Sequence, residues 1–369
     1  MRAKEKIAEV IGWVITLVVG IIIIYFGYYH YYTDYNAALI IFVLLLGGIL
    51  SSIVCCIFHE LGHIIVGKIC GFRFNAVQIL SVRIYWQGNR LKAGWRRLDD
   101  QLLGAAEMLP KNADRMYEKY FAETAGGLVA SLLWLAGAIT ALALSSHMHF
   151  VVYSLTCTSL PCAFYVFYKN ILPFGDPPTD GAILTGLIGK DAAALTVVNM
   201  LAIEGYLSIG KTPGEIDHAL YFDLPQLPED DYNFLILTDY RIAYSIDSGD
   251  ITGAVQYSDR LKGLLEYVPK QCFNEIVGDI LFCECVYKRD AAEAEKLYKK
   301  IRPYLLGEGD ITSHRIDAAY ETYIRKDKIA ALRKLSAAQQ SLESCRVQGV
   351  ALYEKKLLEY IREGIDCLP

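Results

Sequence analysis

The feature that most constrains this chain is an uncharged apolar run that leads into a cluster of ionisable side chains. Residues 37–57 contain no Asp, Glu, Lys or Arg, and the segment HELGH follows one residue later, with His59, Glu60 and His63. The run is long enough to cross a hydrocarbon core of about 30 Å at about 1.5 Å per residue. Ionisable groups at the end of such a segment are costly, so something must offset their burial.

The apolar residues are concentrated in the first half of the chain. Of 369 residues 54% are hydrophobic, and nearly all the long apolar runs lie within 1–200, whereas 201–369 has the composition of a charged, soluble sequence. We therefore predict a mainly α-helical polytopic membrane protein with a soluble helical appendage. The net charge of −5 argues against a nucleic-acid partner.

Four segments are long and apolar enough to span a bilayer. They run approximately over residues 7–29, 37–58, 120–145 and 150–169. The first is too long and uninterrupted for a cleaved signal peptide, so we expect it to be retained.

The distribution of Lys and Arg predicts the orientation of these spans. Basic residues precede the first span, and nine more lie in 71–119, whereas the connections at 30–36 and 145–149 have none. Because basic loops stay on the cytosolic side, we expect both termini and 71–119 in the cytosol. The compact four-span layout is typical of a bacterial cell-membrane protein.

The spacing of His59 and His63 indicates a metal site. Four residues apart on a helix, their imidazoles lie one turn apart on one face and can share a metal ion. Two imidazoles suit Zn²⁺, which lowers the pKa of bound water to about 7, and Glu60 is placed to accept a proton from that water. The alternative is a pair of buried histidines whose hydrogen bonds are satisfied by neighbours.

A catalytic zinc ion needs a third protein ligand, and two aspartates near the end of the fourth span are candidates. Asp180 stands before Gly181 at the start of a short apolar helix, whereas Asp176 precedes a proline and should lie in extended chain. We favour Asp180, since a helix start pre-organises a ligand. A structural role for Asp180 at the helix dipole is the alternative.

These motifs together resemble the site-2 protease family of intramembrane zinc metalloproteases. The resemblance rests on the HELGH segment at the end of a span, on Asn170-x-x-Pro173, and on Asp180-Gly181, and it covers about residues 37–189. It implies a membrane endopeptidase with one zinc ion held by His59, His63 and Asp180, and with Glu60 as the general base.

Residues 125–131 and Asn170 can also be compared with motifs of this family. Residues 125–131, AGGLVAS, take the place of its Gly-Pro-x-x-Asn stretch without the proline and asparagine, but they supply small residues for close helix packing. Asn170 is therefore the better candidate for contacting substrate or an oxyanion, and a structural role at its helix end is the alternative.

A small β-structure is predicted after the metal motif. Residues 72–95 alternate loosely and break at Gln87-Gly88-Asn89, which indicates hairpin strands. An exposed edge there could hold an extended substrate by strand addition. The alternative is a membrane-surface sheet with no such role.

The second half of the chain predicts helical hairpins. Helix starts at Asp250, Asp290 and Asp327 each precede an alanine by four residues, and their separations of 40 and 37 residues compare with about 34 for a tetratricopeptide repeat. We predict a tetratricopeptide-like domain, with a non-repetitive helical bundle as the alternative.

The predicted organisation has four parts. Residues 1–36 form the N-terminal span and outer loop, 37–189 the metalloprotease core, 190–212 a linker helix and 213–369 the tetratricopeptide-like domain. The expected partners are the lipid bilayer, a membrane protein or membrane-peptide substrate, and a cytosolic protein or peptide on the helical domain. The alternative function is a catalytically inactive membrane-anchored adaptor with a relic zinc site.

The predicted orientation can be tested with reporter fusions. A reporter fused after Thr33 or Ser146 should report the outside, and one after Arg97 or at Pro369 the cytosol, because the Lys and Arg residues retain their flanking loops inside. An external Pro369 reporter would contradict this orientation.

Overall fold

The computed structural model describes residues 2–87, 90–96, 104–145, 148–175, 177–307 and 309–369. The chain separates into two compact units. The first comprises residues 1–109 and 117–191, and the second comprises 110–116 and 192–369.

The first unit is built mainly from long apolar helices. They are α1 (Arg2–Tyr31), α2 (Ala37–Ile69), α3 (Met116–Ala143), α4 (Phe150–Thr156), α5 (Ser159–Ile171) and α6 (Asp180–Gly189). Among the described residues four helical segments are long and apolar enough to cross a membrane, with α4 and α5 counted together as one. They coincide with the four predicted spans, and α2 carries the HELGH segment inside the helix.

Tyrosine hydroxyls fix the packing of α1 against the helices that follow α3. The Tyr168 hydroxyl donates to the Ala8 carbonyl oxygen at 3.0 Å, and the Tyr153 hydroxyl donates to the Ile23 carbonyl oxygen at 2.8 Å. Each bond satisfies a phenol in apolar surroundings, where an unpaired polar group would be costly. They hold α1 beside α4 and α5.

A four-stranded sheet follows α2 in the same unit. Its strands are β1 (Phe72–Ile79), β2 (Val82–Gln87), β3 (Arg90–Trp95) and β4 (Gly104–Pro110), in the spatial order β3-β2-β1-β4. β1 pairs with β2, and β2 with β3, both antiparallel. The predicted hairpin strands are thus present, while the turn residues 88 and 89 lie outside the described residues.

The fourth strand is not evident in the sequence. β4 reads GAAEMLP, with small residues of low strand propensity and a terminal proline. β4 pairs only with β1 and is therefore an edge strand. Proline is tolerated there because a backbone N–H on the outer side of an edge strand has no neighbouring strand to bond.

The second unit consists of helices with short connections. They are α7 (Ala192–Ser208), a 3₁₀ turn (Pro213–Glu215), α8 (Ala219–Phe222), α9 (Tyr232–Ser248), α10 (Ile251–Gly263), α11 (Phe273–Cys283), α12 (Ala291–Gly307), α13 (Ile311–Tyr320), α14 (Lys328–Leu342) and α15 (Gln348–Asp366). Two π-helical turns, Glu284–Lys288 and Glu321–Arg325, extend α11 and α13. The predicted linker helix corresponds to α7, which belongs to this unit.

Helices α10, α12 and α14 begin in the same way. The side chains of Asp250, Asp290 and Asp327 accept hydrogen bonds from backbone N–H groups of the first helical turn. The alanines four residues later, Ala254, Ala294 and Ala331, are fully buried. This explains the spacing seen in the sequence; assignment to a tetratricopeptide-like repeat remains a prediction.

A buried ion cluster ties three helices of the second unit together. Arg315 on α13 is 3% exposed, and its guanidinium lies 2.8 Å from Asp279 of α11 and 2.8 Å from Glu354 of α15. Burial raises the pKa of the Glu354 carboxyl, and the Arg315 charge opposes that shift. Such a cluster is costly to break because it would leave a buried charge unpaired.

The close contact between α2 and α3 depends on the absence of a side chain at Gly126. A Cβ added at Gly126 would lie 2.7 Å from the Gly62 carbonyl oxygen and 2.9 Å from Val66, whereas a Cβ at Gly137 on the same helix would meet nothing within 4 Å. Gly126→Val should therefore lower the free energy of unfolding by about 1–3 kcal/mol through overpacking.

Chemical denaturation in detergent measures this effect, with Gly137→Val as the matched control. Equal stability of the two variants would contradict the close approach of the helices.

Candidate metal centre

Three ligand atoms from α2 and α6 converge on one point. His59 Nε2, His63 Nε2 and Asp180 Oδ2 form a triangle in which each pair of atoms is 3.3 Å apart. Four ligands around a zinc ion, at its usual distance of about 2.0–2.1 Å, would lie about 3.3 Å from one another. The triangle therefore has the dimensions of one face of a metal tetrahedron, and the group could hold a metal ion.

Hydrogen bonds from α3 orient both imidazoles. His63 Nδ1 lies 3.0 Å from the carbonyl oxygen of Glu123, which can only accept, so His63 carries its proton on Nδ1. His59 Nδ1 lies 2.8 Å from the Ser131 hydroxyl. The Glu123 carbonyl therefore leaves the Nε2 lone pair of His63 for the centre, and His59 does the same in the tautomer whose Nδ1–H donates to the Ser131 hydroxyl.

The backbone of α3 lies close to the two histidines because its facing positions are small. A Cβ at Gly127 would overlap the His63 ring, and the directly preceding residues, Gly62 and Gly126, bring the two helix backbones together. The small residues predicted to allow close packing thus make room for the His63 imidazole. The same approach brings Ser131 within hydrogen-bonding distance of His59.

Asp180 is held at the first position of α6. The preceding Thr179 caps that helix by accepting from the Ala182 N–H at 3.2 Å, and its hydroxyl donates to the Leu172 carbonyl oxygen. Gly181 lies against the backbone of Ile171, where a Cβ would overlap the carbonyl group. The turn between α5 and α6 therefore fixes the Asp180 side chain in front of the histidines.

Asp180 Oδ2 provides the test of whether a cation fits here. This oxygen is buried and accepts no hydrogen bond within the described residues, although both imidazoles are near. A buried carboxylate oxygen without a donor is strongly disfavoured, and a metal ion would satisfy it together with the two Nε2 lone pairs. The donor set of two imidazoles and one carboxylate is of the kind that catalytic zinc sites use.

Glu60 is buried beside this triangle but is not part of it. Its carboxylate accepts a hydrogen bond from the backbone of Ala106, and Gly104 lies against it so closely that a Cβ there would be 2.5 Å from Oε1. The Glu60 side chain therefore extends from α2 and contacts strand β4. This position suits a carboxylate that exchanges a proton rather than one that binds the metal.

The centre opens into a cavity of about 800 Å³. The triangle and Glu60 line it together with strand β4, and Asn170, Tyr120 and Glu123 also face it. The Nδ2 group of Asn170 donates to the Val166 carbonyl oxygen at 3.0 Å, within its own helix. Asn170 therefore borders the cavity, and one of its two amide N–H groups is bonded within its own helix. Asp176, the alternative ligand, lies outside the described residues.

Three parts of this centre are not evident from the sequence. The sequence marks Ser131 only as a small residue for helix packing, although a hydroxyl in an apolar helix often has a buried polar partner. Nothing in the sequence points to Glu123, whose carboxylate Oε1 lies 3.8 Å from His63 Nδ1. Strand β4 carried no signal in the sequence.

Comparisons of the chain with protein-family models, with curated proteins and with solved structures each find no match. The assignment of a function therefore depends on the residues and their geometry.

Metal content should separate ligands from the neighbouring carboxylate. His59→Ala, His63→Ala and Asp180→Asn should each lose the metal ion, because each removes one corner of the triangle, whereas Glu60→Gln should retain it. Elemental analysis of the purified proteins measures this, and Thr140→Ala, an exposed hydroxyl on α3, is the control. A fully loaded Asp180→Asn variant would contradict the ligand assignment.

Proposed function

We propose that this protein is an intramembrane zinc metalloendopeptidase of the site-2 protease type. The observation that carries the proposal is the 3.3 Å triangle of two imidazoles and a carboxylate, with Glu60 beside it, in a unit of membrane-length apolar helices. A structural zinc site would have four protein ligands and no adjacent base, whereas this group offers three ligands and leaves a position for water.

The division of roles follows from the positions of the residues. Zinc, when bound, would act as a Lewis acid and make water a nucleophile at neutral pH. His59, His63 and Asp180 would hold the ion, and Glu60 would accept the proton of the attacking water and return it to the leaving amine. The hydrogen bond from the Ala106 backbone holds the Glu60 carboxylate at the lining of the cavity.

We expect the substrate to bind in the cavity in an extended conformation. The residues of β4 nearest the centre, Gly104 to Ala106, line the cavity, and β4 is an edge strand of the sheet. Edge strands present unpaired backbone groups that can pair with an extended peptide. A peptide bond must leave a helix before hydrolysis, so pairing with an edge strand would stabilise the unwound form.

Substitution of Glu60 tests catalysis separately from metal binding. Glu60→Gln should lower the cleavage rate of an unstructured fluorogenic peptide in detergent by about 10²-fold or more, because the amide cannot accept the proton. Metal content should stay unchanged. Glu118→Gln, an exposed position on α3, is the matched control and should cleave at the wild-type rate.

Proteomics of membranes containing wild type or Glu60→Gln would extend this test to natural substrates. Peptides that accumulate only with Glu60→Gln are expected. An inactive wild-type protein with no such accumulation would favour the membrane-anchored adaptor.

A further inference from the structure

Glu123 is a buried carboxylate to which the proposed division of roles gives no task. It lies on α3, is 9% exposed, and lines the cavity that contains the metal triangle. Its backbone carbonyl oxygen orients His63, but its carboxylate takes no part in that hydrogen bond. A buried carboxylate in a helix of membrane-spanning length is costly, so a compensating partner is expected.

The Glu123 side chain lies along the face of α2 that carries the histidines. Its Cγ atom is near Gly67, one helical turn beyond His63, where an added Cβ would be 3.2 Å from it. Its carboxylate Oε1 lies 3.8 Å from His63 Nδ1, whereas His63 Nε2 faces the triangle. A single imidazole ring therefore separates this carboxylate from the metal triangle, and a substrate residue bound at the metal can reach it.

The Glu123 carboxylate has no partner of opposite charge in the described part of the chain. Its one basic neighbour within 4 Å is His63, and no described residue donates a hydrogen bond to it. The His63 Nδ1–H is already bonded to the backbone carbonyl oxygen, and a histidine that binds a metal is neutral. The imidazole therefore does not neutralise this carboxylate.

A metal ion in the triangle does not supply the missing charge either. Charged side chains of the cavity lining comprise two ammonium groups, Lys6 and Lys169, and five carboxylates, Glu5, Glu9, Glu60, Glu123 and Asp180. A divalent ion and two ammonium groups balance four of the five carboxylates. Asp180 and Glu60 are beside the metal, and Lys169 interacts with Glu9, so the unbalanced negative charge belongs to the region of Glu123.

A second metal ion is not supported at Glu123. Among the described residues, the one group of His, Cys, Asp and Glu side chains spaced to hold a metal ion is His59, His63 and Asp180. A single additional carboxylate offers too few protein ligands for another ion. A cationic group of the substrate is therefore the remaining partner.

Strand β4 indicates how far this carboxylate lies from the proposed base. The backbone of Ala106 bonds Glu60. Met108 is the next residue on the same face of the strand, and its Cε would be 2.9 Å from a Cβ at Gly67, close to the Glu123 Cγ. Two residues of a strand span about 7 Å. A peptide extended along β4 would therefore bring a side chain to Glu123 within about two residues of the bond beside Glu60.

We propose that Glu123 binds a basic side chain of the substrate within about two residues of the scissile bond. The lysine ammonium or arginine guanidinium forms a charge-assisted hydrogen bond with the carboxylate, and the loaded cavity becomes neutral. Glu123 thus determines specificity and takes no part in metal binding or proton transfer. The inference rests on the proposed function, because it names the substrate class of the same site.

Binding of hydroxamates tests this subsite without hydrolysis. A hydroxamate coordinates zinc, so N-acetyl-lysine hydroxamate and N-acetyl-norleucine hydroxamate place a charged and a neutral side chain on the side before the scissile bond. Malonyl hydroxamates of lysine amide and norleucine amide place the same side chains on the side after it. The full-length, zinc-loaded protein in detergent is titrated calorimetrically with each compound.

In at least one series the lysine compound should bind about 10-fold more tightly than the norleucine compound, as one charge-assisted hydrogen bond would give. Glu123→Gln should abolish this difference by weakening the lysine compound alone. Glu118→Gln, exposed on the same helix, is the matched control and should retain the difference. Glu123→Lys should bind the corresponding glutamate compound more tightly than the lysine compound, a reversal that a purely structural role would not produce.

Two results would overturn the proposal. Equal affinity of the wild-type protein for the lysine and norleucine compounds in both series would refute it, however the variants behave. A lysine preference that survives in Glu123→Gln would assign that preference to another residue. Failure of the proposed activity is a separate result, because a protein that cleaves no peptide and still shows the Glu123-dependent preference would lose the endopeptidase and keep this subsite.

Discussion

The close approach of two helix backbones at Gly62 and Gly126 is the constraint on which the rest of the first unit depends. Lipid does not drive apolar helices together, so their association relies on close packing and on polar contacts. Glycine on both helices permits that packing, and each carbonyl occupies the space where the other residue would carry a Cβ. This approach brings α3 close enough for Ser131 and the Glu123 carbonyl to orient the two histidines of α2.

The centre assembled in this way concentrates polar groups where burial is expensive. His59, Glu60 and His63 are each less than 10% exposed, and Asp180 Oδ2 has no hydrogen-bond donor among the described residues. Left alone, these groups would oppose folding. A bound divalent cation would offset this cost, because it would coordinate the Asp180 carboxylate and both imidazole lone pairs at once. Metal binding and the stability of this part of the fold should therefore be coupled.

The small sheet contributes to the metal centre and to the packing of the first unit. Its β4 edge holds Glu60 and lines the cavity, so the position of the proposed base depends on a strand as well as on its own helix. Its central strand β1 ends at Ile79, which packs against the cluster that contains Cys55 and Cys56 of α2. The second unit has its own buried ion cluster and helix caps, and none of its residues is needed to form the metal triangle.

Local sequence patterns predict the spans, the histidine pair with its adjacent glutamate, and the helix starts of the second unit, because each follows from hydrophobic length, helical spacing or capping chemistry. The sequence also favours Asp180 as a ligand, since a helix start fixes a side chain locally, and the structure places its Oδ2 in the triangle. Only the folded structure shows that Ser131 and Glu123 orient the histidines and that β4 supports Glu60. Those relations join residues 46 to 72 positions apart, and they depend on how closely helices and strands approach, which a pattern of residue types does not encode.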